Sequence, residues 1–134
     1  RKICQAFPFV TLVGGDKLVP HGQILGQLEQ SHIGLLPYRP NVSTFSCIPT
    51  KLYEYMALGL PILIQENSLW RGIVEGNDAG RVINFSRLNV AELYREIIST
   101  NFYKQGIPNS IYWRSEEEKL LKVISTLLKQ QKVI

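Results

Sequence analysis

The run Ile48-Pro-Thr-Lys-Leu-Tyr-Glu-Tyr-Met-Ala-Leu-Gly-Leu-Pro-Ile-Leu-Ile64 decides how the chain reads. Pro49 closes a loop and leaves Thr50 to cap a helix. Lys51 to Leu58 are good helix formers, with Leu52, Tyr55, Met56 and Ala57 spaced for burial. Gly59 suits the C-terminal cap, and Pro61 just beyond it cannot continue the helix. Pro61-Ile-Leu-Ile64 then reads as a short, buried strand of a parallel sheet. Glu54 shares a helix face with Lys51, and a solvated ion pair near the helix N-terminus is the plain reading of the two.

Working outward, the same kind of unit recurs. Upstream, Phe9-Val-Thr-Leu-Val13 reads as a strand closed by Gly14, Gly15 and Asp16. Gln23–Gln30 reads as an amphipathic helix with Ile24, Leu25 and Leu28 inward, and Gly26 weakens it by about 1 kcal/mol relative to Ala. Ile33-Gly-Leu-Leu-Pro37 is the next strand, and residues 38–49 form a long loop of aromatic, hydroxyl and basic side chains. Downstream, Ser68–Glu75 reads as a short helix, Gly76–Gly80 as a turn, and Arg81–Phe85 as a strand. Asn89 caps a helix over 90–99 with Ala91, Leu93, Tyr94, Ile97 and Ile98 as its apolar set. After an irregular, aromatic-rich stretch, Ser115-Glu-Glu-Glu118 reads as a capping box. The helix behind it carries Leu120, Leu121, Ile124, Leu127 and Leu128 as a stripe, expected to dock against this domain or a neighbouring one.

Four apolar strands alternating with amphipathic helices predict an α/β fold: a Rossmann-like, three-layer α/β/α arrangement with a mostly parallel sheet. Such sheets bind ligands at the carboxyl ends of their strands, so Gly14-Gly15, the 38–49 loop and Gln65-Glu66-Asn67 are expected to open on one edge. The chain shows neither GxGxxG nor a Walker loop, so no dinucleotide or P-loop site is indicated.

The 134 residues suffice for one domain with a core, and 45% hydrophobic against 19% charged residues is a globular balance. The net charge of +4 is spread along the chain, with Lys119, Lys122, Lys129 and Lys132 enriched near the end. That supports mild affinity for anions such as phosphates or anionic lipid heads, not nucleic acid, for which no reading motif is present. Cys4 and Cys47 are the only cysteines, with neither CxxC nor a His/Cys cluster, so no disulfide framework and no metal site is expected. No run of eighteen apolar residues and no signal peptide is visible; the expectation is a cytoplasmic location, at most peripheral to the inner face of a membrane. The chain opens on Arg1 and reads toward a strand within a few residues, as a piece of a longer protein would.

Ser-His-Ile-Gly-Leu-Leu-Pro-Tyr38, then Pro-Thr-Lys-Leu-Tyr-Glu-Tyr-Met-Ala-Leu-Gly-Leu-Pro-Ile-Leu63, then Ala-Gly-Arg-Val-Ile83 and a late Tyr112-Trp113 stand in a familiar order. Together they resemble the C-terminal, donor-binding domain of GT-B glycosyltransferases, specifically the retaining group 1, or family 4, type. The resemblance spans about residues 9–128, and the Lys51–Pro61 stretch is its specific part. It implies that residues 1–134 are a single, truncated GT-B C-terminal domain. The whole enzyme would then transfer a sugar, with retention, from a UDP- or GDP-sugar donor to a hydroxyl of a saccharide or lipid-linked acceptor, as in surface polysaccharide synthesis. The acceptor would be held by a separate N-terminal domain, so this piece alone would not turn over. Neither a metal nor a further cofactor is implied.

The resemblance also implies site residues. Glu54 matches the second glutamate of the family's Glu-x7-Glu motif, whose carboxylate accepts the ribose hydroxyls of the donor; it binds and is not a catalytic base. The first glutamate, which lies close to the donor sugar in the family, falls at Ser46, a departure: a serine can hydrogen-bond but cannot stabilise developing positive charge as a carboxylate would. Cys47, Ile48, Pro49 and Thr50 fall where the backbone approaches the diphosphate; Pro49 has no N–H to donate, and Lys51 could supply the missing donor. Gly14 and Gly15 would let a base approach closely. Beside these, His21 and His32 read as surface histidines, and Arg39 as a solvated loop arginine. Cys47 reads as an inert thiol, and Trp70 and Trp113 as packing anchors. Two alternatives remain. One is another GT-B enzyme such as a sugar-nucleotide epimerase or a phosphorylase. The other is a non-catalytic α/β nucleotide-sugar-binding or partner-docking module using the final helix and the 101–114 segment.

Overall fold

A computed structural model describes residues 4, 6–39, 41–43 and 45–131. Lys132, counted above among the C-terminal basic residues, lies outside them. The chain divides into two compact units, Arg1–Ser31 and His32–Ile134.

In the first unit, helix α1 spans His21–Glu29 and starts directly after Pro20, whose carbonyl accepts from the Gln23 and Ile24 N–H groups at 3.0 and 3.3 Å. Ile24, Leu25 and Leu28 are half-buried along one face. Phe9–Val13 is not a strand, contrary to its β-branched composition. Strand propensity is realised only where a second row of backbone N–H and C=O groups is offered, and no described segment of this unit pairs with it. The Phe7 and Phe9 rings instead meet each other, centroids 5.6 Å apart.

The second unit is α/β. Strands β1 (Gly34–Leu36), β2 (Ile62–Ile64) and β3 (Gly80–Val82) form a parallel sheet in the order β1-β2-β3. Gly34, Leu35 and Leu36 stand opposite Ile62, Leu63 and Ile64, which in turn face Gly80, Arg81 and Val82. Helix α2 (Thr50–Ala57) connects β1 to β2, and α3 (Ser68–Gly76) connects β2 to β3. Leu52 and Met56 of α2, and Trp70 and Val74 of α3, enclose one core with Leu36, Ile62, Ile64 and Ala79. Side chains alternate along a strand, so Leu35, Leu63 and Arg81 lie on the other face. There Leu63 is buried, and Arg81 pairs with Glu96 at 2.8 Å and lies over the Phe102 ring. Glu96 belongs to α4 (Val90–Ser99), which Asn89 caps through the Glu92 N–H.

Two glycines are fixed by this packing. Gly59, at φ 65°, donates to the Met56 carbonyl at 3.0 Å while Leu60 donates to that of Tyr55 at 3.0 Å, the paired bonds of a Schellman cap. At Gly80 a Cβ would lie 1.9 Å from the Ile62 carbonyl oxygen, so only glycine allows β3 to sit against β2 there.

Helix α2 begins one residue earlier than its threonine suggests. Pro49 is the cap, at φ −69° and ψ 136°, and Thr50 is the first helical residue with no side-chain cap bond. Helix α5 (Arg114–Gln131) likewise starts before Ser115. The Ser115 hydroxyl donates to the Tyr112 and Ser110 carbonyls at 2.8 and 3.3 Å, so it cannot serve the capping box expected of it. A short 3-10 turn, Asn109–Ile111, precedes α5, and Ile111 packs against the core. The α5 stripe is exposed along its length, from Leu120 to Leu128, and so is not docked on the described core. No helix among the described residues is long and apolar enough to cross a membrane.

Candidate functional site

Two loops leave the carboxyl edge of the sheet in the second unit, and they are bound to each other. The described residues of 38–49, outside which Pro40 and Thr44 lie, follow β1, and Gln65-Glu66-Asn67 follow β2. Asn67 is the buried polar residue of this edge. Its Oδ1 accepts from the Leu69 and Trp70 N–H groups at 3.0 and 3.1 Å, capping α3, while its Nδ2 donates to the Phe45 carbonyl at 3.2 Å. Trp70 adds a second tie: its Nε1 donates to the Cys47 carbonyl at 2.7 Å, and the Tyr38 ring meets its indole edge-on at 5.8 Å. Gln65 Oε1 accepts from the Phe85 N–H at 3.3 Å, drawing the segment after β3 to the same edge. Within the long loop, Asn41 Oδ1 accepts from the Ser43 N–H and hydroxyl at 3.0 and 2.7 Å, an Asx turn.

Delivered by this loop, α2 turns Thr50, Tyr53 and Glu54 toward the segment that precedes α5. These three, with Ser110, Ile111, Tyr112, Trp113 and Glu116, line a cleft of about 470 Å³. The cleft wall is held in place from behind. The Tyr103 hydroxyl donates to the Leu60 carbonyl at 2.7 Å, joining the end of α2 to the 101–114 segment. Burial pushes the Tyr103 phenol well above its usual pKa. Tyr55, packed against the core beneath, is also raised, mainly by burial and partly offset by the positive charge of Lys51.

The Glu54 carboxylate is three-quarters buried and accepts from Lys51 Nζ at 2.5 Å. Across the cleft, Glu116 pairs with Lys119 at 2.6 Å. Both pairs are partly solvated and are worth about 0–1 kcal/mol each to stability. Chemically, the cleft offers acceptor oxygens from Glu54 and Glu116 and aromatic surface from Tyr112 and Trp113. Trp113 is 69% exposed, so it is no packing anchor; Trp70, at 3%, is.

Of the residues the sequence indicates, Glu54 and Thr50 meet in this cleft. Lys51, in the first turn of α2, pairs with Glu54. Ser46 lines a separate hollow with Asn41, Val42 and Phe45. Ile48 and Pro49 are half-buried, while the Cys47 thiol is free and exposed. Gly14 and Gly15 belong to the first unit, at φ 89° and 100°, where Gly14 borders a hollow with Lys17, Val19 and Gln23. Sequence reasoning missed Tyr112, Trp113 and Glu116 as cleft residues. The adjacent Tyr-Trp pair after Pro108 was the available signal. Among the described residues no group of three or more His, Cys, Asp or Glu side chains stands close enough to hold a metal ion. No family model, no curated protein and no solved structure matches the chain.

Proposed function

We propose that this chain is the donor-binding part of a GT-B glycosyltransferase, a Rossmann-like, three-layer domain that holds a UDP- or GDP-sugar. In this reading Glu54 accepts the ribose hydroxyls of the nucleotide. The whole enzyme moves the sugar, with retention, to a hydroxyl of a saccharide or lipid-linked acceptor held elsewhere.

The observation that carries the reading is the setting of Glu54. Its carboxylate lies on the helix that follows the first strand of a parallel sheet, on the wall of a cleft large enough for a small ligand. An ionised carboxylate is acceptor-only and can take a vicinal pair of hydroxyls. Lys51 donates to that carboxylate and fixes its orientation on the cleft wall. A thermal-shift panel of UDP, GDP, ADP and CMP tests the reading. A shift with one diphosphate, lost in Glu54→Ala, is expected; an equal shift in the variant would place the nucleotide elsewhere.

A second reading, a module that docks a protein through the final helix and the 101–114 segment, is favoured by one observation. Leu120, Leu121, Ile124, Leu127 and Leu128 are all exposed on α5, and Trp113 is exposed at its start. Retained nucleotide binding when Leu121 and Leu128 are both changed to Glu would separate the two readings.

A further inference from the structure

We infer that the cleft beside Glu54 receives a neutral sugar ring bearing a vicinal diol, with Trp113 and Tyr112 as its stacking wall and Glu54 as the acceptor of the diol. This rests on the donor-site reading of Glu54 and extends it to residues that the sequence resemblance does not assign.

Three observations carry it. The first is Trp113. An indole with more than two-thirds of its surface in water is unusual, because its large apolar face gains most when covered. Here that residue, with Tyr112, lines the same cleft as Glu54. The second is charge. The two carboxylates of the cleft, Glu54 and Glu116, are each matched by one lysine. With each carboxylate matched and neither lysine nor arginine among the residues lining the cleft, nothing there would hold an anionic group, whereas hydroxyls meet acceptors. The third is size: about 470 Å³ falls within the range of small-molecule sites. A sugar ring matches all three, since it presents an apolar C–H face to an indole and a rim of hydroxyl donors to carboxylates. The ring could be the ribose of a nucleoside or a free saccharide, and the two are separated by experiment.

The chain has two tryptophans, one buried and one exposed, so Trp113 can be read selectively. Iodide quenching of tryptophan emission is measured on the 134-residue chain with uridine, guanosine, adenosine and their 2′-deoxy forms, and with methyl glycosides of glucose, galactose and mannose. UDP and GDP are titrated in parallel by calorimetry, and all titrations are repeated on Trp113→Ala and Glu54→Ala. Because Trp113 is exposed, its replacement should leave the fold intact, and the quenching measurement on the unaltered chain needs no variant.

The inference predicts that a ribonucleoside or a glycoside shields Trp113 from iodide, with binding weakened about tenfold or more in Trp113→Ala and likewise in Glu54→Ala. Shielding by ribonucleosides but not 2′-deoxynucleosides assigns the ring to a nucleotide; shielding by a glycoside alone assigns a saccharide and counts against the donor reading. Glu54-dependent binding of UDP or GDP that is unchanged in Trp113→Ala would overturn the stacking wall while leaving the donor reading standing. No shielding by any ring compound at millimolar concentration would overturn the inference outright.

Discussion

Asn67 is the residue whose loss should most clearly loosen the candidate site without touching it. Its side chain makes three bonds: two accepted at the start of α3 and one donated to the Phe45 carbonyl of the long loop. Asn67→Ala removes an N-cap worth about 1 kcal/mol. It also removes the donor to a loop carbonyl, adding about another 1 kcal/mol, more if that carbonyl stays dry. The sum of about 2–3 kcal/mol corresponds to a fall in Tm of about 10–20 °C for a unit of this size. Asn67→Ser separates the two parts, because a serine hydroxyl still caps but has no amide to reach Phe45. It should lose only about 1 kcal/mol while the 38–49 loop becomes more sensitive to protease. Urea unfolding followed by the emission of buried Trp70 gives the stabilities. An Asn67→Ala chain within about 0.5 kcal/mol of the parent would refute the claim that this side chain ties loop to helix. A serine variant as damaged as the alanine one would refute the division between cap and tether.

Gly80→Ala should destabilise by about 3 kcal/mol or more, because the new Cβ would meet the Ile62 backbone rather than a movable side chain; circular dichroism melting checks it. Tyr103→Phe should lose about 1 kcal/mol through its bond to the Leu60 carbonyl. The same variant should change the alkaline limb of stability. The folded-state pKa of Tyr103 is raised above the unfolded value of about 10, so its contribution is full below pH 10 and is lost as the pH rises toward the folded value. Denaturant titrations from pH 8 to 11 should therefore fall less steeply for the variant than for the parent. Leu121→Glu together with Leu128→Glu should leave the melting temperature nearly unchanged, since both side chains are exposed, and should reduce any concentration-dependent association seen by light scattering.

What could be read in advance was what is local. Helix α2, its stop at Gly59 and the strand after Pro61 are each written in neighbouring residues, and the structure has them within a residue or two. The parallel pairing followed from the alternation of short apolar strands with helices. Phe9–Val13 failed because a strand needs a partner that its own sequence cannot supply. Ser115 failed because a hydroxyl that fits a capping box can donate to preceding carbonyls instead. Within the candidate site, Glu54 stood out through its surrounding motif. Trp113 did not, since composition marks tryptophan as core and only the fold leaves this one exposed. The sequence places Asn67 at the opening edge of the sheet, and its role there is the cap that an asparagine directly before a helix prefers.

The central claim is that Glu54 holds the ribose of a nucleoside diphosphate. Titration calorimetry of UDP and GDP into the parent chain and into Glu54→Ala tests it most directly. The account predicts saturable binding of one of the two, weakened about tenfold to a hundredfold in the variant, as the loss of charge-assisted hydrogen bonds requires. Binding of equal strength in both proteins, or of neither nucleotide to the parent, would contradict it.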